Sequence, residues 1–307
     1  MTSIYASAYV SALRAALEAA GGQNYPPGAL YVVATPIGNL ADITLRALHV
    51  LGLADTIACE DTRHTQALLR AYGIDKSSAQ LLAVHQHNEA EAAQTVIDRL
   101  RQGQRIVYAS DAGTPAISDP GARLVAAVRL VDLPVVPLPG ASSVTTILSV
   151  AGVADEGGQH GAFVFAGFLS SKSTERATAI EALRVEPRAV VLLEAPHRIE
   201  ALATALATLE ARPLTIGREL TKQFEEIATF SAASFPGWLA ANPNRLRGEF
   251  ALVLHPAQNV VDTGPDTRVL KLLLAQLPLK TAVKLTADIT GESRNALYQL
   301  ALAMKEA

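Results

Sequence analysis

Short apolar runs alternate with helical segments through most of this chain, and this alternation restricts its fold more than any other feature. The run Leu30–Ala34 is apolar at every position and rich in β-branched and aromatic residues, which is typical of a strand buried on both faces of a sheet. The first half is predicted to form strands near 30–34, 55–59, 80–84, 105–109 and 134–138, and helices near 42–51, 64–72, 88–102, 121–131 and 142–151. Such a repeat indicates an α/β domain in which helices cover a largely parallel sheet.

A second set of strands and helices follows a polar, glycine-rich stretch at 155–161. Strands are predicted near 162–166, 189–193, 214–217, 225–230 and 249–254, and helices near 174–184 and 197–209. The strands at 214–217 and 225–230 follow each other too closely for a helical crossover, so the second sheet is expected to be mixed. We therefore predict an N-terminal α/β domain at 29–154 and a C-terminal α/β domain at 155–256.

Both ends of the chain differ from this pattern. Residues 1–28 contain an alanine-rich stretch that can form a short helix, followed by glycine and proline, and are predicted to be a mobile tail. Residues 257–307 are predicted to be a polar linker and a helical extension, in which a helix-turn-helix-like pair flanks Thr290 and Gly291. The helical pattern fits either a cap packed on the second domain or a nucleic-acid-binding accessory.

The composition excludes several classes of protein. Because Cys59 is the only cysteine, the chain can form no internal disulfide and no cysteine-based metal cluster; its buried-strand context predicts a core thiol rather than a nucleophile. His85 and His87 have no third ligand near them in the sequence, so no metal is expected.

The net charge of -3 indicates neither a nucleic-acid nor a membrane partner. Without a bilayer-spanning apolar run or a signal-peptide pattern, the protein is expected to be cytoplasmic.

Turns rich in glycine, proline or polar residues follow five of the predicted strands. These turns are Thr35–Asn39, Glu60–His64, Ser110–Pro115, Pro139–Ser143 and Glu194–Arg198. In open α/β sheets, ligands bind in the crevice outside the carboxyl ends of the strands. Tight-turn geometry explains any one of these turns alone, but five at one edge predict a single composite binding site.

The turns indicate a ligand that combines an amino-acid group with a sugar. Gly38 lets a ligand approach the backbone closely, and Asp111 can accept a hydrogen bond from an amine or a hydroxyl. The backbone of Gly113 and Thr114 can donate to a carboxylate, and the two serines of the Pro139–Ser143 turn suit an anionic group at a helix N-terminus. Neither G-x-G-x-x-G nor G-x-x-x-x-G-K-[ST] occurs, which disfavours dinucleotide and ATP sites.

The turn after the second strand is the densest polar cluster of the first half. Two carboxylates, Glu60 and Asp61, stand beside Arg63 and His64. They can serve general acid–base chemistry, or they can form ion pairs while Thr62 caps the following helix. Hydrolase chemistry is disfavoured because no G-x-S-x-G motif occurs.

Several long segments resemble, in the same order, the ribosomal RNA small subunit methyltransferase I family, which is part of the tetrapyrrole methylase superfamily of S-adenosylmethionine-dependent enzymes. The segments are Leu30–Thr44, Glu60–Thr65, Ser110–Pro115, Val136–Gly140, Gly167–Leu169 with Lys172 and Arg176, Glu194 with Pro196–Arg198, Arg218–Lys222 and Arg247–Glu249. The resemblance covers about 29–256, and residues 270–305 are similar to the family's C-terminal helical extension.

The resemblance implies two α/β domains with S-adenosylmethionine in the cleft between them, usually in a homodimer. It implies 2′-O-methylation of a cytidine ribose in the decoding region of 16S rRNA, so the partner is 16S rRNA or the small ribosomal subunit. By motif position, the implied cofactor-binding residues are Pro36, Ile37, Gly38, Asp111, Gly113, Thr114, Ser142, Ser143, Leu193 and Glu194. We predict catalytic roles in the 60–64 loop for Glu60, Asp61, Arg63 and His64. The predicted rRNA contacts are Lys172, Arg176, His197, Arg198, Arg218, Lys222 and Arg247.

The chain departs from the family pattern at three places. Ala34 stands where proline is common, Leu193–Ala195 replaces a more usual Tyr-Glu-Ser, and Arg247 stands where lysine is common. The second change removes a ring and a hydroxyl, which affects stacking in the pocket but not the class of reaction. Two other functions stay open: methylation of a small tetrapyrrole by the same fold, and a non-catalytic RNA-binding module in which the turns are only structural.

Overall fold

The computed structural model of this protein describes residues 2–85, 88–153, 161–257 and 267–306. The chain divides into two compact units, Met1–Pro256 and Ala257–Ala307. The first unit contains two five-stranded sheets with helices packed on them, which confirms the predicted α/β class. The predicted domain boundary near 155–161 lies almost entirely outside the described residues. No described helix has both the length and the apolar character needed to cross a bilayer.

The first sheet is fully parallel, with strand order β3-β2-β4-β1-β5. Its strands are β1 (Leu30–Val33), β2 (Thr56–Cys59), β3 (Leu81–Ala83), β4 (Ile106–Ala109) and β5 (Val135–Leu138). The helices of this half are α1 (Thr2–Gly21), α2 (Leu45–Leu53), α3 (Thr62–Ala71), α4 (Glu89–Arg101), α5 (Gly121–Leu130) and α6 (Ser143–Val150). The central strands β2 and β4 are buried at every position, as expected for apolar strands covered on both faces.

The register of the first sheet ends its strands at one level. Val33 pairs with Ala109 on one side and Leu138 on the other. Cys59 likewise pairs with Ala83 and Ala109. The turns after all five strands therefore start at the same edge. The chain leaves β1 and β4 toward opposite sides of the sheet, so the crevice between their ends is the topological switch point, where α/β proteins bind ligands.

The second sheet is mixed, as predicted, with strand order β6-β7-β10-β8-β9. Its strands are β6 (Phe163–Gly167), β7 (Ala189–Glu194), β8 (Pro213–Arg218), β9 (Glu226–Ser231) and β10 (Phe250–Leu254), and its helices are α7 (Ser173–Leu183), α8 (Ile199–Leu206) and α9 (Phe235–Ala240). β6 and β7 are parallel, and β10 runs antiparallel to both β7 and β8. The carboxyl ends of β6, β7 and β8 therefore share one edge with the start of β10.

Helix α6 of the first half packs against the second sheet. Its residues Val144 and Ile147 share a buried apolar cluster with Val191 and Val253. The fit is close, because a Cβ on Gly217 would lie only 2.7 Å from Cδ1 of Ile147. This apolar layer joins the two sheets within the first unit.

Residues 1–28 were predicted to be a mobile tail, but the end of this segment packs on the first sheet. Helix α1 occupies Thr2–Gly21, and the Tyr25 hydroxyl donates to the carbonyl of Ala20 at 2.6 Å. Nε of Arg105 donates to the carbonyl of Tyr25 at 3.0 Å. Tyr25 also belongs to the core of the first sheet. The segment that was predicted as a mobile tail thus contacts the first sheet through Tyr25, and the Tyr31 hydroxyl donates to the carbonyl of Pro26 at 2.7 Å.

The part of the second unit that the structure describes forms three helices, α10 (Thr267–Leu274), α11 (Leu279–Thr290) and α12 (Arg294–Glu306). Gly291 ends α11 in the left-handed conformation, with φ 77°. Leu270, Val283 and Leu297 form a small core shared by the three helices. The predicted helix pair around Gly291 is thus confirmed, and the predicted linker at 257–266 lies outside the described residues except for Ala257.

Candidate active site

The turns after β1 and β4 are hydrogen-bonded to each other at the switch point. The backbone N–H of Thr35 donates to the carbonyl of Gly113 at 3.0 Å, and Gly113 N–H donates to Thr35 at 3.1 Å. The Thr35 hydroxyl donates to the carbonyl of Ser110 at 3.1 Å. Gly113 has φ 82°, and a Cβ there would lie 3.2 Å from Cγ2 of Ile37. Two of the predicted binding turns, Pro36–Gly38 and Asp111–Thr114, are therefore adjacent.

The turn after β5 completes a group of three. The Thr114 hydroxyl donates to the carbonyl of Ala141 at 3.0 Å. Ser142 then forms the N-cap of α6 in an extended conformation, and its side chain makes no capping hydrogen bond. The predicted serines, Ser142 and Ser143, thus lie beside the Gly113 turn at the start of a helix.

The fifth predicted turn belongs to the other sheet, so the expectation of five turns on one edge is wrong in that respect. Leu193 and Glu194 end β7, not a strand of the first sheet. Leu193 nevertheless packs against the same apolar cluster as Ile37. The stem of Lys222 lies against Gly38, where a Cβ would be 2.3 Å from Cγ of the lysine. The second sheet therefore contributes its strand ends opposite the β1 turn.

Carboxylates join the β2 and β4 turns. The Asp111 side chain accepts a hydrogen bond from the Asp61 backbone at 3.2 Å. The Asp111 backbone N–H donates to the Glu60 carboxylate at 3.4 Å. Burial raises the pKa of Glu60, and the carboxylates of Asp119 and Asp111 add to this effect against the opposing hydrogen bond from Asp111. Of the two carboxyl groups in the loop, Glu60 is therefore the one whose surroundings favour the protonated form.

The rest of the 60–64 loop forms a helix cap and an ion pair, which was the structural alternative to acid–base chemistry. Asp61, and not Thr62 as predicted, is the N-cap of α3, because its carboxylate accepts from the Arg63 backbone at 2.8 Å. The Arg63 guanidinium pairs with the same carboxylate at 2.8 Å and lowers the pKa of Asp61. Arg63 and His64 are otherwise exposed. Asp61 thus fixes the loop, while the two basic side chains face solvent.

The shifted pKa of Glu60 gives a prediction about stability. A carboxyl whose pKa is higher in the folded chain than in the unfolded chain destabilises the fold at pH values where it is ionised. We expect Glu60→Gln to raise the free energy of unfolding at neutral pH, and the gain to disappear as the pH falls below about 4.3, the ordinary glutamate pKa. Denaturant unfolding of both proteins across this pH range measures the difference.

Glu175→Gln is the matched control. Hydrogen bonds from Lys172 and Ser170 lower the pKa of the exposed Glu175, so its replacement should produce no gain at neutral pH. A Glu60→Gln protein that is less stable than the parent at neutral pH would contradict the assigned effect of burial.

Asp119 supports the site, and no motif in the sequence indicated this. The Asp119 carboxylate accepts hydrogen bonds from the Tyr108 hydroxyl at 3.0 Å, the Ala116 backbone at 2.9 Å and the Gly121 backbone at 2.7 Å. It holds Ala116 at φ 66°, an unusual value for a residue other than glycine. Asp119 thus anchors the far end of the loop that carries Asp111.

Gly121 offers a direct test of this packing. A Cβ there would lie 2.1 Å from Cε1 of the fully buried Tyr108 and 2.7 Å from Oδ1 of Asp119. We expect Gly121→Ala to lower the free energy of unfolding by about 1–3 kcal/mol, the usual effect of overpacking a core. Chemical denaturation measures it, with Gly237→Ala as control because nothing lies within 4 Å of a Cβ at that helical glycine. Equal denaturation midpoints for Gly121→Ala and the parent would rule out the tight contact.

On the second sheet, Glu194 is buried and paired. Its side chain is 1% exposed, and Nε of Arg198 lies 3.1 Å from its carboxylate. The Nε–H bond does not point at that oxygen, so the contact is an ion pair rather than a hydrogen bond. Another guanidinium nitrogen of Arg198 donates to the carbonyl of Leu169. The pair therefore ties the end of β7 to the turn after β6.

The seven predicted RNA-contacting residues lie at or near one edge of the second sheet. Three of them are exposed, and the other four are bonded within the protein. Lys172, His197 and Arg247 are exposed. The side chain of Arg218 is 10% exposed and donates to two backbone carbonyls, at 2.8 and 3.2 Å. Lys222 pairs with two glutamates at 2.7 and 2.8 Å. Arg176 and Arg198 are half-buried and donate to carbonyls of the turn after β6.

Two further predictions concern thiol and metal chemistry. Cys59 is fully buried in β2, and burial raises the pKa of its thiol to about 11, which confirms a core thiol. Among the residues that the structure describes, no group of three or more His, Cys, Asp or Glu is arranged to hold a metal. His87 of the His85–His87 pair lies outside the described residues.

Comparison with known proteins first defines the class. A family model described as Tetrapyrrole (Corrin/Porphyrin) Methylases matches residues 29–236. The chain is also similar in fold to the crystal structure of uroporphyrin-III-C-methyltransferase from Thermus thermophilus, with a TM-score of 0.51 and 22% identity over 74% of this chain and 94% of that one. The fold is thus that of a tetrapyrrole-type methylase.

Closer relatives define the particular family. The chain is 45% identical to ribosomal RNA small subunit methyltransferase I of Escherichia coli O157:H7, over 90% of this chain and 95% of the relative. It is 47% identical to the protein of the same name from Neisseria meningitidis serogroup A, over 91% and 94%. A second family model, described as RsmI C-terminal HTH domain, matches residues 262–305. The chain belongs to the ribosomal RNA small subunit methyltransferase I family of tetrapyrrole methylases, which confirms the resemblance seen in its motifs.

Proposed function

We propose that this protein is an S-adenosylmethionine-dependent methyltransferase that methylates the ribose 2′-hydroxyl of a cytidine in the decoding region of 16S rRNA. The observation that carries this proposal is the meeting of the β1, β4 and β5 turns around Asp111 and Gly113 in a chain whose relatives are named as rRNA methyltransferases. A small tetrapyrrole as substrate is the alternative outcome of the test.

The residues at the switch point fit a methyl donor that carries an amino acid and a ribose. Gly113, at φ 82°, lets the β4 turn lie close to Ile37 and Ala141, which brings the three turns together. Asp111 is a half-buried carboxylate suited to an ammonium or a sugar hydroxyl. When bound, S-adenosylmethionine supplies an activated methyl group. Its pocket would be formed by Pro36, Ile37, Gly38, Asp111, Gly113, Thr114, Ser142 and Ser143, with Leu193 and Glu194 from the second sheet.

The 60–64 loop handles the acceptor in this proposal. A ribose hydroxyl is a weak nucleophile, so a group that takes up its proton assists methyl transfer. Glu60 suits that role because burial raises its pKa. Asp61 fixes the loop through Arg63, and the exposed Arg63 and His64 contact the RNA strand.

The basic edge of the second sheet binds the rRNA backbone through its exposed cations, Lys172, His197 and Arg247. The half-buried Arg176 and Arg198 support the turn after β6 and reach phosphates only with their free N–H groups. We leave Arg218 and Lys222 out of this surface because their charged groups are engaged within the protein and are only 10% and 28% exposed, whereas Lys172 is 75% exposed beside its partner Glu175. We further propose that the protein works as a homodimer in the cytoplasm, where the small ribosomal subunit is found.

The test is transfer of label from radiolabelled S-adenosylmethionine to small ribosomal subunits from cells that lack this protein. Label on one cytidine ribose supports the whole proposal. Label on another nucleotide or on a base would refute the site of methylation. If the protein binds the cofactor but labels neither subunits nor free rRNA, and does label a tetrapyrrole, the alternative is correct.

A further inference from the structure

Phe168 is an aromatic side chain exposed at the carboxyl end of β6. It is 52% exposed, whereas the next residue, Leu169, is buried in the core of the second sheet. Gly167 takes φ 63°, and the pairing of β6 with β7 shifts between Phe165 and Gly167. Such an irregularity re-aims the chain at the end of a strand. Here it directs Leu169 inward and Phe168 outward.

Two arginine side chains donate hydrogen bonds to the turn that carries Phe168. Arg198 donates to the carbonyl of Leu169. Arg176 donates to the carbonyls of Ser170 at 3.3 Å and Ser171 at 3.2 Å. Three consecutive carbonyls are thus held by two guanidinium groups, so the exposed ring is presented on a rigid support.

The position of the ring connects it to the candidate active site. Gly167 is the register partner of Leu192 on β7, two residues before Glu194. Arg198 contacts both Glu194 and the Phe168 turn. The exposed basic residues Lys172, His197 and Arg247 lie at the same edge of the sheet. Phe168 therefore presents an exposed aromatic ring on the edge that carries these basic side chains.

We propose that Phe168 is a stacking platform for an unpaired base of the rRNA beside the target nucleotide, an inference that rests on the proposed function. Proteins recognise single-stranded RNA by stacking splayed-out bases on aromatic rings within a positively charged groove. A ring in this setting suits a base better than an apolar protein surface, because phosphates next to the base meet the cations. Phe168 is thus a specificity residue for an unpaired strand.

The experiment compares five proteins, the parent and the variants Phe168→Ala, Phe168→Trp, Phe168→Leu and Phe163→Ala, in methylation of small ribosomal subunits and in cofactor binding. We expect Phe168→Ala to raise the KM for subunits by about tenfold to 100-fold, with unchanged affinity for S-adenosylmethionine. Phe168→Trp should restore the parental KM, because indole also stacks. Phe163→Ala is the matched control, since Phe163 is 42% exposed at the opposite end of the same strand and should behave as the parent does.

The outcomes separate this inference from the proposed function. An unchanged KM in Phe168→Ala, while the parent methylates subunits, overturns the stacking role alone. A Phe168→Leu protein with the parental KM overturns it too, because it would indicate apolar contact without stacking. A steeper or shallower salt dependence in Phe168→Ala would indicate a phosphate effect instead, because a stacked base releases no counterions. If the parent labels no RNA at all, the proposed function fails and the inference fails with it.

Discussion

Replacement of Asp111 by alanine is expected to lower the rate of methyl transfer by about 100-fold while leaving the fold intact, an effect of the size that misplaced catalytic groups produce. The Asp111 carboxylate accepts from the Asp61 backbone at 3.2 Å, so it sets the position of the 60–64 loop. In the proposed site it is also the carboxylate that would contact the cofactor beside Gly113. Its loss therefore removes a ligand contact and loosens the loop that handles the acceptor.

Single-turnover methylation and calorimetric binding of S-adenosylmethionine measure these two effects separately. Asp111→Asn keeps an oxygen for the Asp61 N–H but has no charge, so it should retain loop position and lose cofactor affinity. Asp98→Ala is the control, because the exposed Asp98 has surface partners on its own helix, Arg101 at 3.8 Å and Gln94 at 2.9 Å. Parental cofactor affinity and rate in Asp111→Ala would remove Asp111 from the proposed site.

The strands and their binding turns were predictable because local signals agree with the fold at these positions. Leu30–Val33 is apolar at each position, and the turn that follows contains Gly38, which the Lys222 stem approaches closely. The equal level of the strand ends follows from parallel pairing. Sequence alone thus located Asp111, Gly113 and Ser142 at one edge.

Features that depend on distant partners were not predictable. Arg218 and Lys222 look like RNA-binding cations in the sequence, but the fold brings carbonyls and glutamates to them. Helix α9 was missed because Pro236 and Gly237 resemble a turn, although proline is well tolerated in the first turn of a helix. Tyr25 likewise joins the core through contacts with residues far along the chain.

The Glu194–Arg198 pair is expected to control both stability and the shape of the RNA-facing edge. Breaking a buried ion pair by removing one partner costs about 3–5 kcal/mol. Because the Arg198 side chain is 25% exposed, water screens part of that cost, and we expect Glu194→Ala to lower the free energy of unfolding by about 2–3 kcal/mol. The freed guanidinium would also hold the Leu169 carbonyl less firmly, so the KM for small ribosomal subunits should rise.

A double variant distinguishes an unpaired charge from lost packing. Glu194→Ala with Arg198→Leu removes both charges and should recover part of the lost stability, since an apolar pair in a buried site is often tolerated. It should not recover the KM, because the Leu169 carbonyl then has no guanidinium to hold it. Glu181→Ala is the control, because the Glu181–Arg184 pair is exposed at 66% and 41% and contributes about 0–1 kcal/mol. Equal unfolding midpoints for Glu194→Ala and Glu181→Ala would show that burial of the Glu194 pair has no energetic consequence.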